Sequence, residues 1–303
     1  MTSTKNLIII AGPTAIGKTN LAIKIALHFQ TEVISADSRQ FYKEMEIGTA
    51  KPSKAELAQV KHHFIDSHSI NQPFSVGDYE EQAIGLIDKL FEKYDDLILV
   101  GGSGLFIKAI TDGFDNFPKA SPEIREQLNN VYHTEGISLL QKQLSELDPE
   151  YFNEVDINNP QRVIRALEVC ISTGQPFSSF RNRTLKQRNF NSIKIGLNID
   201  REKLYKQINF RVDQMAEHGL VEEVRQLLPF RHLNALNTVG YSELFEYFDG
   251  VLSLDEAIES IKQNTRRFAK RQLTWFRKDH EIQWFEPNQY EEILEFVESI
   301  RHS

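Results

Sequence analysis

The chain has 303 residues, 40% of them hydrophobic and 10% aromatic, which is enough for one large or two ordinary domains and excludes a disordered polypeptide. A single cysteine, Cys170, excludes a disulfide framework and a cysteine-rich zinc site; a small buried hydrophobe in a reducing cytoplasm is its expected role. The net charge of −8 opposes a polyanionic partner in bulk, although its distribution along the chain reverses that expectation.

Residues 7–11 form an apolar run that reads as a strand. It is too short for a signal-peptide core or a membrane span, and no longer apolar run follows, so a soluble, cytoplasmic protein is expected. A glycine-rich turn leads into a helix over about residues 18–29, with Leu21, Ala22, Ile25, Ala26 and Phe29 along one face. A short strand is expected near 32–35, a helix near 76–93, and a buried strand at 97–100 that Gly101 and Gly102 end. Strands alternating with helices predict a parallel sheet covered on both faces. After Pro118 the pattern changes. Ser121-Pro122-Glu123 marks a helix start, and helical spacing continues to about Ser172 with no strand between. Residues 193–199 alternate as a strand, and helices dominate from Glu202 onward. The expected architecture is α/β, a P-loop NTPase-like core (1–117 and 189–303) with an all-helical insertion domain (118–188).

The turn after the first strand reads Gly12-Pro13-Thr14-Ala15-Ile16-Gly17-Lys18-Thr19, the full phosphate-loop pattern set between a strand and a helix. Its glycines let backbone N–H groups converge on phosphate oxygens, and the helix start adds its positive dipole end. Lys18 supplies a mobile charge, and the Thr19 hydroxyl is placed to ligate Mg²⁺. Phosphate-loop ATPases usually carry an acid at the end of a later strand, but the 97–100 strand ends in Gly101-Gly102-Ser103-Gly104. The nearest strand-end acid is Asp37, expected either to face the ligand crevice at the carboxyl edge of the sheet or to be the N-cap of a helix after the strand.

Two stretches lack acids. Residues 169–199 contain Arg181, Arg183, Lys186, Arg188 and Lys194; residues 260–278 contain Lys262, Arg266, Arg267, Lys270, Arg271, Arg277 and Lys278. Basic segments in an acidic protein point to a local polyanion site, against the alternative of solvated surface faces. At 100° per residue, Arg266, Lys270 and Arg277 share a stripe with Arg267, Arg271 and Lys278 beside it, and Phe268, Ala269, Leu273, Trp275 and Phe276 fall opposite. His62-His63 is adjacent rather than metal-spaced and reads as surface or packing, and Phe74, Phe177 and Phe180 read as packing residues.

In their order along the chain, Gly12 to Thr19, Asp37-Ser38-Arg39-Gln40, Gly48-Thr49-Ala50-Lys51-Pro52, Gly101-Gly102-Ser103-Gly104, Gln161-Arg162-Val163-Ile164-Arg165 and Lys270-Arg271-Gln272-Leu273-Thr274-Trp275 resemble the bacterial tRNA dimethylallyltransferases (tRNA isopentenyltransferases) over nearly the whole chain. The resemblance implies a P-loop core with a helical insertion and prenylation of N6 of adenosine 37, beside the tRNA anticodon. It implies that Gly12 to Thr19 hold the diphosphate of dimethylallyl diphosphate, although that loop is commonly described as ATP-binding. It further implies Asp37 as the base facing the adenine amine, Ser38 to Gln40 beside the tRNA, and Arg211 against the diphosphate. Arg125 and the run Gln161 to Arg165 resemble tRNA-contacting segments. Ser103 stands where the family usually has Thr and keeps the hydroxyl. Ile16 replaces a common Ser, and Ser242 follows Val239-Gly240-Tyr241 where a basic or amide residue is usual, which removes the expectation of an RNA contact there.

The chemistry is consistent with these residues. Loss of diphosphate from an allylic carbon puts the largest developing charge on the leaving group, where Lys18, Mg²⁺ on Thr19 and Arg211 would meet it. The acceptor amine must shed a proton, which Asp37 can take, and a paired base must first be splayed out. The cations at 266, 270, 271 and 277 suit the phosphates of a tRNA anticodon stem-loop. A monomer is expected, with no membrane partner. Two other readings are a phosphoryl-transfer enzyme with the insertion as its lid and an RNA-binding NTP switch.

Overall fold

The computed structural model of the chain describes residues 4–301 except 116, 119, 120 and 182–184. The chain forms two compact units, Met1–Asp112 with Gln187–Ser303, and Gly113–Lys186. The insertion therefore begins about five residues earlier and ends two earlier than 118–188. The first helix run of the core stops at Thr111, Gly113 turns the chain with φ +77°, and the returning Arg188 is already anchored in the core. Its guanidinium donates to the carbonyls of Ala109 and Ile110 and to Glu80.

In the core unit the elements are β1 (Asn6–Ala11), α1 (Lys18–His28), β2 (Val33–Ser35), α2 (Lys54–Leu57), β3 (His62–His63), α3 (Val76–Phe91), β4 (Asp96–Gly101) and α4 (Gly104–Thr111). Beyond the insertion and its helices α5 (Pro122–Glu135), α6 (Ile137–Leu147), α7 (Pro149–Glu154) and α8 (Pro160–Thr173), the core resumes. It continues with β5 (Asn191–Leu197), α9 (Arg201–Glu217), α10 (Leu220–Leu227), α11 (Ser242–Phe248), α12 (Leu254–Phe276), β6 (Gln283–Phe285) and α13 (Tyr290–Arg301).

The strands form one parallel sheet in the order β3-β2-β4-β1-β5-β6. Every residue of β1 and β4 is buried, as expected for strands covered on both faces. Ile8 and Ile10 face α1, α9, α12 and α13 through Ile25, Ile208, Ala269 and Ile293; Leu7 and Ile9 face α3 and α4 through Ala83, Ile87, Ile107 and Ile110. Because the order reverses at β1, the loops after β1, β4 and β2 lie side by side at the carboxyl edge, where open α/β sheets bind ligands.

Two strands were not anticipated from the sequence, β3 and β6, and β5 starts two residues before the expected 193–199 and stops at Leu197. The insertion is helical among its described residues, around Leu128, Leu140, Leu144, Val163, Ile164, Leu167, Cys170 and Phe177. Phe117 stacks on Phe177, and Phe180 packs on this cluster. In the core unit Phe74 sits among Phe41, Tyr79 and His68. Phe74, Phe177 and Phe180 are packing residues, as their sequence context suggested, and His62 and His63 bond to the Val60 carbonyl and to Glu32.

The C-terminal helix is held by a buried ion pair. Asp96, at the start of β4, receives Arg301 Nε at 2.9 Å, the Arg301 Nη2 group, and Asn6 Nδ2 at 3.1 Å. Removing one partner of a buried pair typically costs about 3–5 kcal/mol, and partial solvent access to Arg301 lowers that. Arg301→Ala is expected to destabilise the core by about 2–3 kcal/mol in denaturant melts, and an unchanged midpoint would contradict the assignment of this pair as a structural lock.

Candidate active site

The loop from Gly12 to Thr19 leaves β1 and enters α1 through Gly17, whose φ of +96° only glycine adopts without strain. Ala15 is also left-handed at φ +64°, a modest strain of the kind found at ligand sites. Ile16 turns its side chain into the core, so its departure from Ser anchors the loop and leaves the backbone to make the cradle. Lys18 Nζ folds back onto the Pro13 carbonyl at 2.7 Å. Burial lowers its pKa to about 8, Asp37 raises it, and Arg211 lowers it.

Arg211, from α9, reaches the loop at Thr14 Oγ1 (3.4 Å) and the Ala50 carbonyl (3.2 Å). It too is pushed down by burial and drawn up by Asp37. Asp37 sits half-buried two residues past β2, and its Oδ1 accepts from the Arg39 amide at 3.0 Å. Asp37 therefore caps a local turn, with no helix following it, and it lies near enough to Lys18 and Arg211 to raise the pKa of both.

The residues after Asp37 are tightly held. Ser38 N donates to Ser103 Oγ at 3.1 Å, and Ser103 Oγ donates to Ser38 Oγ at 3.2 Å. The Arg39 guanidinium bonds to the carbonyls of Asn234, Ala235 and Asn237, and Gln40 bonds to those of Thr49 and Ala50. Arg39 and Gln40 thus shape the acceptor-side loop with their polar ends already bonded. Lys51 is likewise turned inward, to the Tyr42 carbonyl and Asp66.

The basic segments divide. In the first, Arg188 pairs with Glu80, Lys194 with Asp279 and Glu281, and Arg181 with Glu154; Arg183 lies outside the described residues. Those three cations are matched by acids distant in sequence. In the second, Lys262 pairs with Asp213 and Glu259, and Arg266 donates to Asn209 Oδ1. Arg267, Lys270, Arg271, Arg277 and Lys278 are exposed. Four of these cations, Arg267, Lys270, Arg271 and Lys278, line a groove of about 430 Å³ together with Thr274 and Trp275.

The buried stripe of α12 is narrower than helical arithmetic placed it. Ala269, Gln272 and Phe276 are buried, whereas Phe268 and Trp275 are 38% and 42% exposed. Phe268 and Trp275 flank that stripe, so each aromatic stays partly in solvent. Gln272 is the site residue missed from sequence. Its amide accepts from Thr14 N and donates to the Gly102 carbonyl, both at 2.9 Å. A polar residue at an apolar stripe position was the available signal, masked by the cations around it.

In the insertion, Arg125 and Arg165 converge on Glu168, which is 1% exposed, at 2.9 and 3.2 Å. Val163 and Ile164 are core residues, so of the run 161–165 only Gln161, Arg162 and Arg165 offer side chains to solvent.

A sequence profile described as IPP transferase matches residues 40–279. The chain belongs to the IPP transferase family. It is similar to the tRNA dimethylallyltransferase of Christiangramia forsetii, 60% identical over 294 residues and 97% of each chain. It is also similar to that of Flavobacterium johnsoniae, 52% identical over 99% of each. Among solved structures, the tRNA isopentenylpyrophosphate transferase of Bacillus halodurans superposes with a TM-score of 0.73 at 37% identity, covering 99% of this chain and 97% of that one. A eukaryotic dimethylallyltransferase shares the fold at a TM-score of 0.81 and 24% identity, covering 98% of this chain and 80% of that one. Membership in this family sets aside the phosphoryl-transfer and NTP-switch readings.

The lowered Lys18 pKa has a measurable consequence. Between about 8 and 10.5 the lysine is protonated in the unfolded chain and neutral in the fold, so it opposes folding below about pH 8 and ceases to above 10.5. An anionic diphosphate seated on the loop should restore the charge. Calorimetry of alkyl diphosphate binding above about pH 8, in buffers of different ionisation enthalpy, is expected to show net proton uptake. Lys18→Met should abolish the uptake; binding with none in the wild type would contradict this placement of Lys18.

Proposed function

We propose that the protein transfers a dimethylallyl group from dimethylallyl diphosphate to N6 of the adenosine next to the anticodon of tRNA, adenosine 37, and releases pyrophosphate. The carrying observation is the meeting of a phosphate loop, Lys18 and Arg211 with a carboxylate, Asp37, that acts electrically on both cations. One side of this edge suits a departing diphosphate and the other an amine losing a proton. Similarity to the tRNA dimethylallyltransferases supports the choice of acceptor.

In the reaction the bond from the allylic C1 to the diphosphate oxygen breaks, and its electron pair leaves with the diphosphate. Lys18, Arg211 and the loop amides offer fixed positive charge there, without the reorganisation that water would need. The adenine nitrogen forms the new bond to C1, and Asp37 takes its proton.

Mg²⁺ fits the donor set. Thr19, in the first turn of α1, would supply one hard hydroxyl, and no group of three or more His, Cys, Asp or Glu forms a protein cage among the described residues. The remaining oxygens would come from diphosphate and water, the usual arrangement for this ion. When bound it offsets charge on the leaving group.

The exposed cations of α12 and of the insertion suit RNA phosphates. Among the described residues no helix is long and apolar enough to cross a membrane. We place the enzyme in the cytoplasm as a monomer.

Asp37→Ala is expected to lower prenylated nucleoside formation by about 10²–10⁴-fold while tRNA affinity stays within about threefold, as read by nucleoside mass analysis and filter binding. Near-normal turnover would exclude Asp37 as the base. Affinity for tRNA should also fall steeply with salt, and Lys270→Ala with Arg271→Ala should flatten the log–log slope by about one to two. A salt-independent affinity would remove α12 from the RNA interface.

A further inference from the structure

Gln272 occupies a position where the packing of α12 calls for an apolar side chain. It is 7% exposed, three residues after Ala269 and four before Phe276, which are buried in the core on opposite faces of the sheet. A buried amide is costly unless both its ends are bonded. Here both ends are bonded, each to a different half of the site.

Its carbonyl oxygen holds the Thr14 amide of the phosphate loop at 2.9 Å, and its NH₂ group is held by the Gly102 carbonyl at 2.9 Å. Gly102 is fitted to this approach, since a β-carbon there would lie 2.3 Å from Gln272 Nε2. The next residue, Ser103, pins Ser38 through its hydroxyl, and Ser38 follows Asp37. One side chain therefore ties the donor cradle to the turn that supports the proton acceptor. The Thr14 amide is engaged by protein, so its role is to fix the path of the loop.

We propose that Gln272 is a positioning residue, which holds the diphosphate cradle in register with the Asp37 turn and so controls the rate of group transfer more than the binding of either substrate. Misplacement by an ångström or less degrades transfer between two bound reactants far more than it degrades their binding. This rests on the reading of the loop as the donor site.

Two variants test it. Gln272→Met keeps the volume and removes both bonds. We expect kcat to fall by about tenfold or more, with KM for dimethylallyl diphosphate and the Kd for tRNA within about threefold in a variant that still unfolds in one cooperative transition. Gln272→Glu keeps the acceptor for Thr14 N and donates to Gly102 only when protonated. Its kcat relative to wild type, measured at each pH, should therefore rise as pH falls, while the same ratio for Gln272→Met stays flat. A folded Gln272→Met enzyme with wild-type kcat, or one whose loss lies wholly in KM, would overturn the inference; if Gln272→Met fails to fold, a pH-independent ratio for Gln272→Glu would do so. A wild-type protein that forms no prenylated nucleoside would overturn the donor reading and this inference with it, whereas an active wild type with indifferent variants would overturn this inference alone.

Discussion

At the carboxyl edge of a parallel sheet, Asp37 acts on both Lys18 and Arg211, raising in each the pKa that burial lowers. Burial lowers the pKa of both cations, and Arg211 further lowers that of Lys18. The Asp37 carboxylate offsets part of that cost at each, and Glu56 adds to the offset at Arg211. An anionic diphosphate would offset more of it. The order β2-β4-β1 brings the three supporting loops together, because strand ends that are neighbours in a sheet place their loops side by side.

Much of the remaining polar structure serves as scaffold for that edge. Glu223 accepts from the amides of Glu46, Ile47 and Gly48 and from the Tyr241 hydroxyl. This fixes the loop whose Ala50 carbonyl holds Arg211. Arg39 ties the Asp37 turn to the segment 234–237, and Lys51 closes the same loop against Asp66. Several residues that a motif search would assign to substrate thus act one step away, by holding the backbone that carries the reactive groups. A charged side chain bonded to several carbonyls is less free to exchange them for RNA phosphates than an exposed one such as Lys270.

The phosphate loop was legible because its chemistry is local: a strand, eight residues and a helix state the whole device within one stretch of chain. Asp37 was legible as a strand-end acid, and the helical insertion as a change of periodicity after Pro118. What escaped was settled by partners far away in sequence. β3 and β6 are two and three residues long and exist through pairing with β2 and β5. In the first basic stretch, Arg188 and Lys194 are paired with Glu80, Asp279 and Glu281, acids that lie far from them in sequence. Gln272 stood inside a run of arginines and lysines, and only the fold shows that it faces the opposite way. Trp275 and Phe268 went astray for a related reason, since helical spacing assigns a face but not how wide the covering neighbour is.

The most direct test of the shared-edge arrangement is a structure of the protein with an anticodon stem-loop and an unreactive thio analogue of dimethylallyl diphosphate. The diphosphate is predicted to lie on the amides between Gly12 and Thr19, with the adenine amine flipped out and within about 2.6–3.2 Å of the Asp37 carboxylate. A diphosphate bound elsewhere, or an adenine still stacked in its loop and out of reach of Asp37, would contradict it.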